Sequence, residues 1–140
     1  MSIAVSEPFG LLGRVDLPGV PESVGVARRF VAGVLAGVAC GSVDEVVLLV
    51  SEVCSNAVRH SDSGRGPEGR VTVVVAHYRG VIHIEVIDEG AAVSAPRLPE
   101  VPADDGEGGR GLWLVDQVAS AWGWYEAASG RVVWFQMSYR

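Results

Sequence analysis

Between Val71 and Asp88 the sequence reads VTVVVAHY, Arg79-Gly80, VIHIEVID: two apolar segments of eight residues separated by a two-residue linker. Valine, isoleucine and tyrosine in runs of this length favour strands, and a two-residue connection ending in glycine favours a tight hairpin. The second segment alternates. Ile82, Ile84 and Val86 share one face, His83 and Glu85 share the other, and Asp88 has the parity of the isoleucines. A carboxylate on the core-facing side needs a hydrogen-bond donor, because burying it unpaired is costly. Either a protein group or a ligand must supply that donor, and Glu89-Gly90 ends the strand in a loop through which a ligand can enter.

An apolar sheet face needs a second layer. Two segments before the hairpin have helical spacing. The first, ESVGVARRFVAGVLAGVAC, opens after Pro21 and is stopped by Gly41, with Val24, Ala27, Val31, Val34, Leu35 and Val38 on one side. The second runs from Val43 to His60, and Ser42 with Glu45 three residues on forms a capping-box pattern at its start. Val43, Val46, Val47, Val50, Val53, Cys54, Ala57 and Val58 fall on one arc of this helix, and Glu45, Glu52, Ser55, Asn56, Arg59 and His60 on the other. Glu52 and Asn56 are four apart, so a carboxylate and an amide project side by side, with Arg59 or His60 one turn further along. Taken alone this stripe reads as a solvated face. Leu48 and Leu49 flank it, which favours a face covered by other parts of the chain.

Ahead of these helices Leu11 to Leu17 reads as a strand ended by the turn Pro18-Gly19. After the hairpin, AAVSAPRLPEVPADDGEGGRG lacks periodicity and is rich in proline, glycine and acid, the composition of a mobile loop or lid over about 91-110. It closes with Gly108-Gly109-Arg110-Gly111, after which LWLVDQVASAW begins a helix, so glycine amides stand at a helix N-terminus where anions are favoured. Two last strands, Trp122 to Glu126 and Arg131 to Ser138, pair through Ala127 to Gly130. Trp122 and Trp124 share one parity, as do Trp134, Gln136 and Ser138, and an aromatic group left outside the core on these strands would offer a patch for a partner or a dimer. His77 and His83 are expected to be exposed strand residues.

Composition narrows the chemistry. Of 140 residues, 49% are hydrophobic and 20% charged, the net charge is −6, and the chain reads as a single domain over 1-140. All 11 basic residues are arginine, so a Walker-type phosphate loop and Schiff-base chemistry, which both need lysine, are excluded. The acidic balance argues against nucleic acid as a direct partner. Cys40 and Cys54 lack metal-ligand or redox spacing and read as small core side chains. MSIAVSEPFGLLGRVDLPG has neither the basic start nor the long apolar run of a signal peptide or membrane span, so a cytoplasmic protein without a membrane partner is expected.

Three segments stand in fixed order: a helix with Glu52 and Asn56, a strand ending Asp88-Glu89-Gly90, and a loop Gly109-Arg110-Gly111-Leu112 that opens a helix. Together they resemble the ATP-binding domain shared by gyrase, heat-shock chaperones, histidine kinases and the mismatch-repair protein MutL, the Bergerat fold. LLVSEVCSNAVRHS and GGRGLWLVDQVASAWGW look most like the stand-alone anti-sigma-factor serine kinases. The resemblance implies an α+β two-layer sandwich, with a mixed, mostly antiparallel sheet and about three helices packed on one face.

It also implies ATP and Mg2+ as cofactors. Asn56 would ligate the magnesium that bridges the phosphates, and Glu52 would be the catalytic general base. Asp88 would accept a hydrogen bond from the adenine amino group, Gly90 would let the base approach, and Gly109, Gly111 and the Leu112 amide would hold phosphates. Arg59, His60, Ala92 and Arg110 complete the nucleotide-binding set. Two positions depart from the family pattern: Ala92 stands where a second glycine is usual, and GRVVWF has Val132 or Val133 where a threonine near the adenine is usual. The transducer domains of gyrase and chaperones and the dimerisation helices of histidine kinases do not fit into 140 residues. The resemblance therefore implies a serine/threonine protein kinase acting on a small antagonist of the anti-anti-sigma type and sequestering a sigma factor, with homodimerisation common among small relatives. The alternative is a non-catalytic protein-binding module switched by nucleotide.

Overall fold

The computed structural model describes residues 10–38, 43–60, 69–89, 110–128 and 130–139. Five strands and three helices follow in the order β1 (Gly10–Pro18), α1 (Glu22–Leu35), α2 (Val43–His60), β2 (Arg70–Tyr78), β3 (Val81–Asp88), α3 (Arg110–Val118), β4 (Ala121–Ala127) and β5 (Gly130–Ser138). The strands form one sheet in the order β1-β2-β3-β5-β4, and all four pairings are antiparallel. This is the two-layer α+β arrangement expected, with a sheet that is antiparallel throughout.

The β2–β3 hairpin turns through Arg79 and Gly80, both with positive φ, 49° and 84°, as a tight primed turn requires. Its alternation sets the core. Val71, Val73 and Val75 of β2, Ile82, Ile84 and Val86 of β3, and Val133, Phe135 and Met137 of β5 are buried together with Ala27, Val31 and Leu35 of α1, Val46, Leu49, Val50, Val53 and Cys54 of α2, and Leu112 and Val115 of α3. All three helices thus contribute to one core on one face of the sheet.

The structure corrects three expectations. α1 ends at Leu35 and not at the expected Cys40, because a turn over 36–38 interrupts it. Gly33 and Gly37 lower the helical propensity of that stretch, and the apolar spacing alone does not reveal the loss. On α2, Leu49 is fully buried but Leu48 is 44% exposed, so only one of the two leucines beside the polar stripe is covered.

The third correction concerns His83, expected to be exposed and in fact fully buried on the sheet face opposite the helices. Gln136 Nε2 lies 3.0 Å from His83 Nδ1, and His83 Nε2 lies 3.3 Å from Glu85 Oε2. With the amide donating to Nδ1, the ring carries its proton on Nε2 and donates to the carboxylate. Tyr125 also donates to Glu85 Oε2, at 3.5 Å, and Trp134 stacks on the His83 ring at 5.6 Å. Strand parity assigned these residues to the second face correctly. It says nothing about whether that face meets water.

Gly123 is where this second face is tightest. A Cβ there would stand 2.9 Å from the Trp134 ring, which is itself held against His83. Gly123→Ala is therefore expected to cost about 1–3 kcal/mol through overpacking, seen as a lower urea midpoint with an unchanged slope.

Candidate functional site

α2 is amphipathic, and its buried stripe presses onto the sheet. That leaves Glu52 and Asn56 on the adjoining face, both half-buried. Their spacing of one turn brings both side chains to the same stretch of helix surface. Asn56 Oδ1 is buried and accepts no hydrogen bond among the described residues. An amide oxygen left so is costly, and its carbonyl character suits a hard cation or a ligand donor. The donor set thus fits magnesium, which takes oxygen ligands and retains several waters. Cys54, on the core side of the same helix, offers no competing chemistry. Burial pushes its thiol up to about 12, far from thiolate at neutral pH.

α2 packs against α3 on one flank and against β3 beneath, so it adjoins both other segments of the expected site. Asp88 is the last residue of β3, on the helix-covered face, and is 5% exposed, as its parity predicted. α3 begins at Arg110, so Arg110, Gly111 and Leu112, expected in the glycine loop, form its first turn. Leu112 and Val115 insert into the core, and Trp122 Nε1 donates to Asp116 Oδ1 at 3.0 Å, tying the helix to β4. The orphan amides of the first α3 turn are thereby held in place relative to α2.

Of the remaining expected site residues, Arg59 lies exposed near the end of α2. His60 is the last residue of that helix, and Arg110 and Gly111 open α3. Gly90, Ala92, Gly109 and the expected lid over about 91-110 lie outside the described residues, save for Arg110, which belongs to α3.

One site residue was missed by sequence reasoning. The β3–β5 register sets Arg131 directly opposite Asp88, whereas Val132 and Val133 are opposite Ile87 and Val86. The residue directly opposite Asp88 is therefore an arginine, with Val133 next to it on the same face. Arg131 is 7% exposed, its Nε donates to Glu126 Oε2 at 3.2 Å, and its guanidinium lies 5.4 Å from the Trp124 ring centroid. Gly130, with φ of 136°, fixes this corner, because a Cβ there would collide with the Asp88 carbonyl. The alternation of β5 was readable, but its pairing with β3 skips β4 in chain order, and only that pairing brings Arg131 to Asp88.

Among the described residues, no cluster of three or more His, Cys, Asp or Glu side chains is placed to hold a metal, so a cation here would depend on Asn56 together with ligand oxygens. No described helix is long and apolar enough to cross a membrane.

Comparison with known proteins agrees with this geometry. The model of the histidine kinase-like ATPase domain family matches residues 17–137. The chain is similar to the serine-protein kinase RsbW of Bacillus licheniformis, 30% identical over 110 residues that cover 71% of this chain and 68% of that protein. It is also similar to the serine-protein kinase RsbW of Bacillus pumilus, 32% identical over 72% of this chain and 70% of that protein. The RsbW of Oceanobacillus iheyensis is 32% identical over 73% and 71%. A match running from the end of β1 into β5, with a helix-covered antiparallel sheet beneath it, makes this chain a member of the histidine kinase-like ATPase domain family.

Proposed function

We propose that this chain is an ATP- and magnesium-binding regulatory protein kinase, with serine or threonine of a small antagonist protein as acceptor and a sigma factor as a second partner. The observation that carries the reading is the orphaned Asn56 oxygen one turn from Glu52, on a helix that packs against both β3, which ends in Asp88, and α3. The names of the relatives support the kinase assignment and the choice of acceptor hydroxyl.

In this reading the adenine sits at the end of β3 with its amino group donating to Asp88. The Asn56 oxygen would hold the metal, and the first amides of α3, with Gly109 and Gly111, would hold phosphate oxygens at the positive end of the helix. Magnesium held there would supply charge that offsets the phosphates. Glu52, half-buried one turn from Asn56, accepts the proton of the incoming hydroxyl as that oxygen attacks the γ-phosphorus and ADP leaves. Arg59 and Arg110 add positive charge near the phosphates, and His60 lies at the same end of α2. None of these roles needs the lysine that the sequence lacks.

The test is transfer of labelled γ-phosphate from ATP to a cognate antagonist. Label on a serine or threonine of the antagonist is the expected result. The second reading, a nucleotide-switched binding module, is favoured by Ala92 in place of a glycine. It predicts stable ATP binding that alters partner affinity with no label transferred.

A further inference from the structure

We propose that Arg131 is a base-reading residue, its guanidinium donating to a ring nitrogen of adenine beside the amino group that Asp88 accepts. The inference rests on the nucleotide reading above and goes beyond it by adding the second half of the base contact.

Three observations carry it. Arg131 and Asp88 are directly paired across β3 and β5, so their side chains leave the sheet on the same face as neighbours. Next, Arg131 is buried yet underused. A guanidinium has five N–H donors, and among the described residues only Nε is engaged, with Glu126. Glu126 itself is largely exposed, so this contact holds the stem of the fork and leaves the terminal nitrogens free for another acceptor. Finally, the Trp124 ring under the guanidinium limits where the fork can go on the β4 side of β5, while on the β3 side Gly130 packs closely on the Asp88 backbone.

The chemistry of the base then completes the pairing. Adenine presents its amino donor beside ring-nitrogen acceptors. A carboxylate satisfies only the donor. A planar cationic donor on the residue directly opposite that carboxylate would satisfy an acceptor as well, and a charge-assisted bond in a buried site is among the stronger ones available. Arg131 would thus do directly what the resemblance assigned to a threonine.

Calorimetric titration of the full chain with magnesium and ATP, 1-deaza-ATP or 7-deaza-ATP tests this. Each deaza analogue lacks one ring acceptor flanking the amino group. The wild type is expected to bind one of the two about 10-fold more weakly than ATP. Arg131→Met is expected to lose about the same factor on ATP and to bind ATP and that analogue equally, since the partner of the missing acceptor is gone. Arg131→Lys keeps charge and length without the planar fork, is expected to retain part of the preference, and serves as the test should the methionine variant not fold.

A variant that weakens ATP and both analogues by one common factor, or weakens none of them, would overturn the assignment while leaving the nucleotide site standing. A wild type that binds no ATP overturns the nucleotide reading itself, and this inference with it.

Discussion

Glu52→Gln is expected to lower phosphoryl transfer at saturating ATP by about 10²–10⁴-fold, the range for losing a positioned general base. The amide has the same shape and nearly the same helical propensity, so α2 should fold unchanged and the effect should fall on rate. Glu52 lies one turn from Asn56 and is half-buried, a setting in which a carboxylate can reach a hydroxyl near the γ-phosphate without ligating the metal itself. Single-turnover transfer measured beside ATP affinity separates the two effects. A large fall in rate with affinity held within about threefold is the predicted outcome. An unchanged rate removes Glu52 from the base role.

Asp88→Asn is expected to weaken ATP by about 10–100-fold, the loss of a hydrogen bond to a charged group in a buried site. Asp88 is the last residue of β3, on the helix-covered face, and it is nearly fully buried. The asparagine can still turn its oxygen to the adenine amino group, but its own amide then needs an acceptor in a nearly fully buried position. The same substitution should leave the affinity for inorganic triphosphate unchanged, because the proposed site holds the phosphates at α3 and not at β3. Equal loss on ATP and triphosphate would mean that Asp88 supports the fold and does not read the base.

Much of this architecture is legible in the residue pattern. The hairpin over β2 and β3 follows from alternation and a primed turn at Arg79-Gly80, and α2 from an apolar arc that the structure buries nearly as drawn. What was not legible depends on neighbours distant in sequence. The early end of α1 reflects glycines whose cost the apolar spacing hides. His83 has the parity of an outward residue, and its burial comes from Trp134, Gln136 and Glu85, two of which arrive from β5. Arg131 is the clearest case. Nothing in GRVVWF singles it out until the β3–β5 register places it opposite Asp88.

The central claim is that Asn56, Asp88 and the start of α3 form one nucleotide site closed by a divalent cation. The most direct test is calorimetry of the wild-type chain with ATP, first with magnesium and then with a chelator. One ATP bound per chain, with affinity that falls on chelation and falls likewise in Asn56→Ala with magnesium present, is the result predicted. A titration that stays silent with magnesium, or ATP binding that neither chelation nor Asn56→Ala alters, would contradict it.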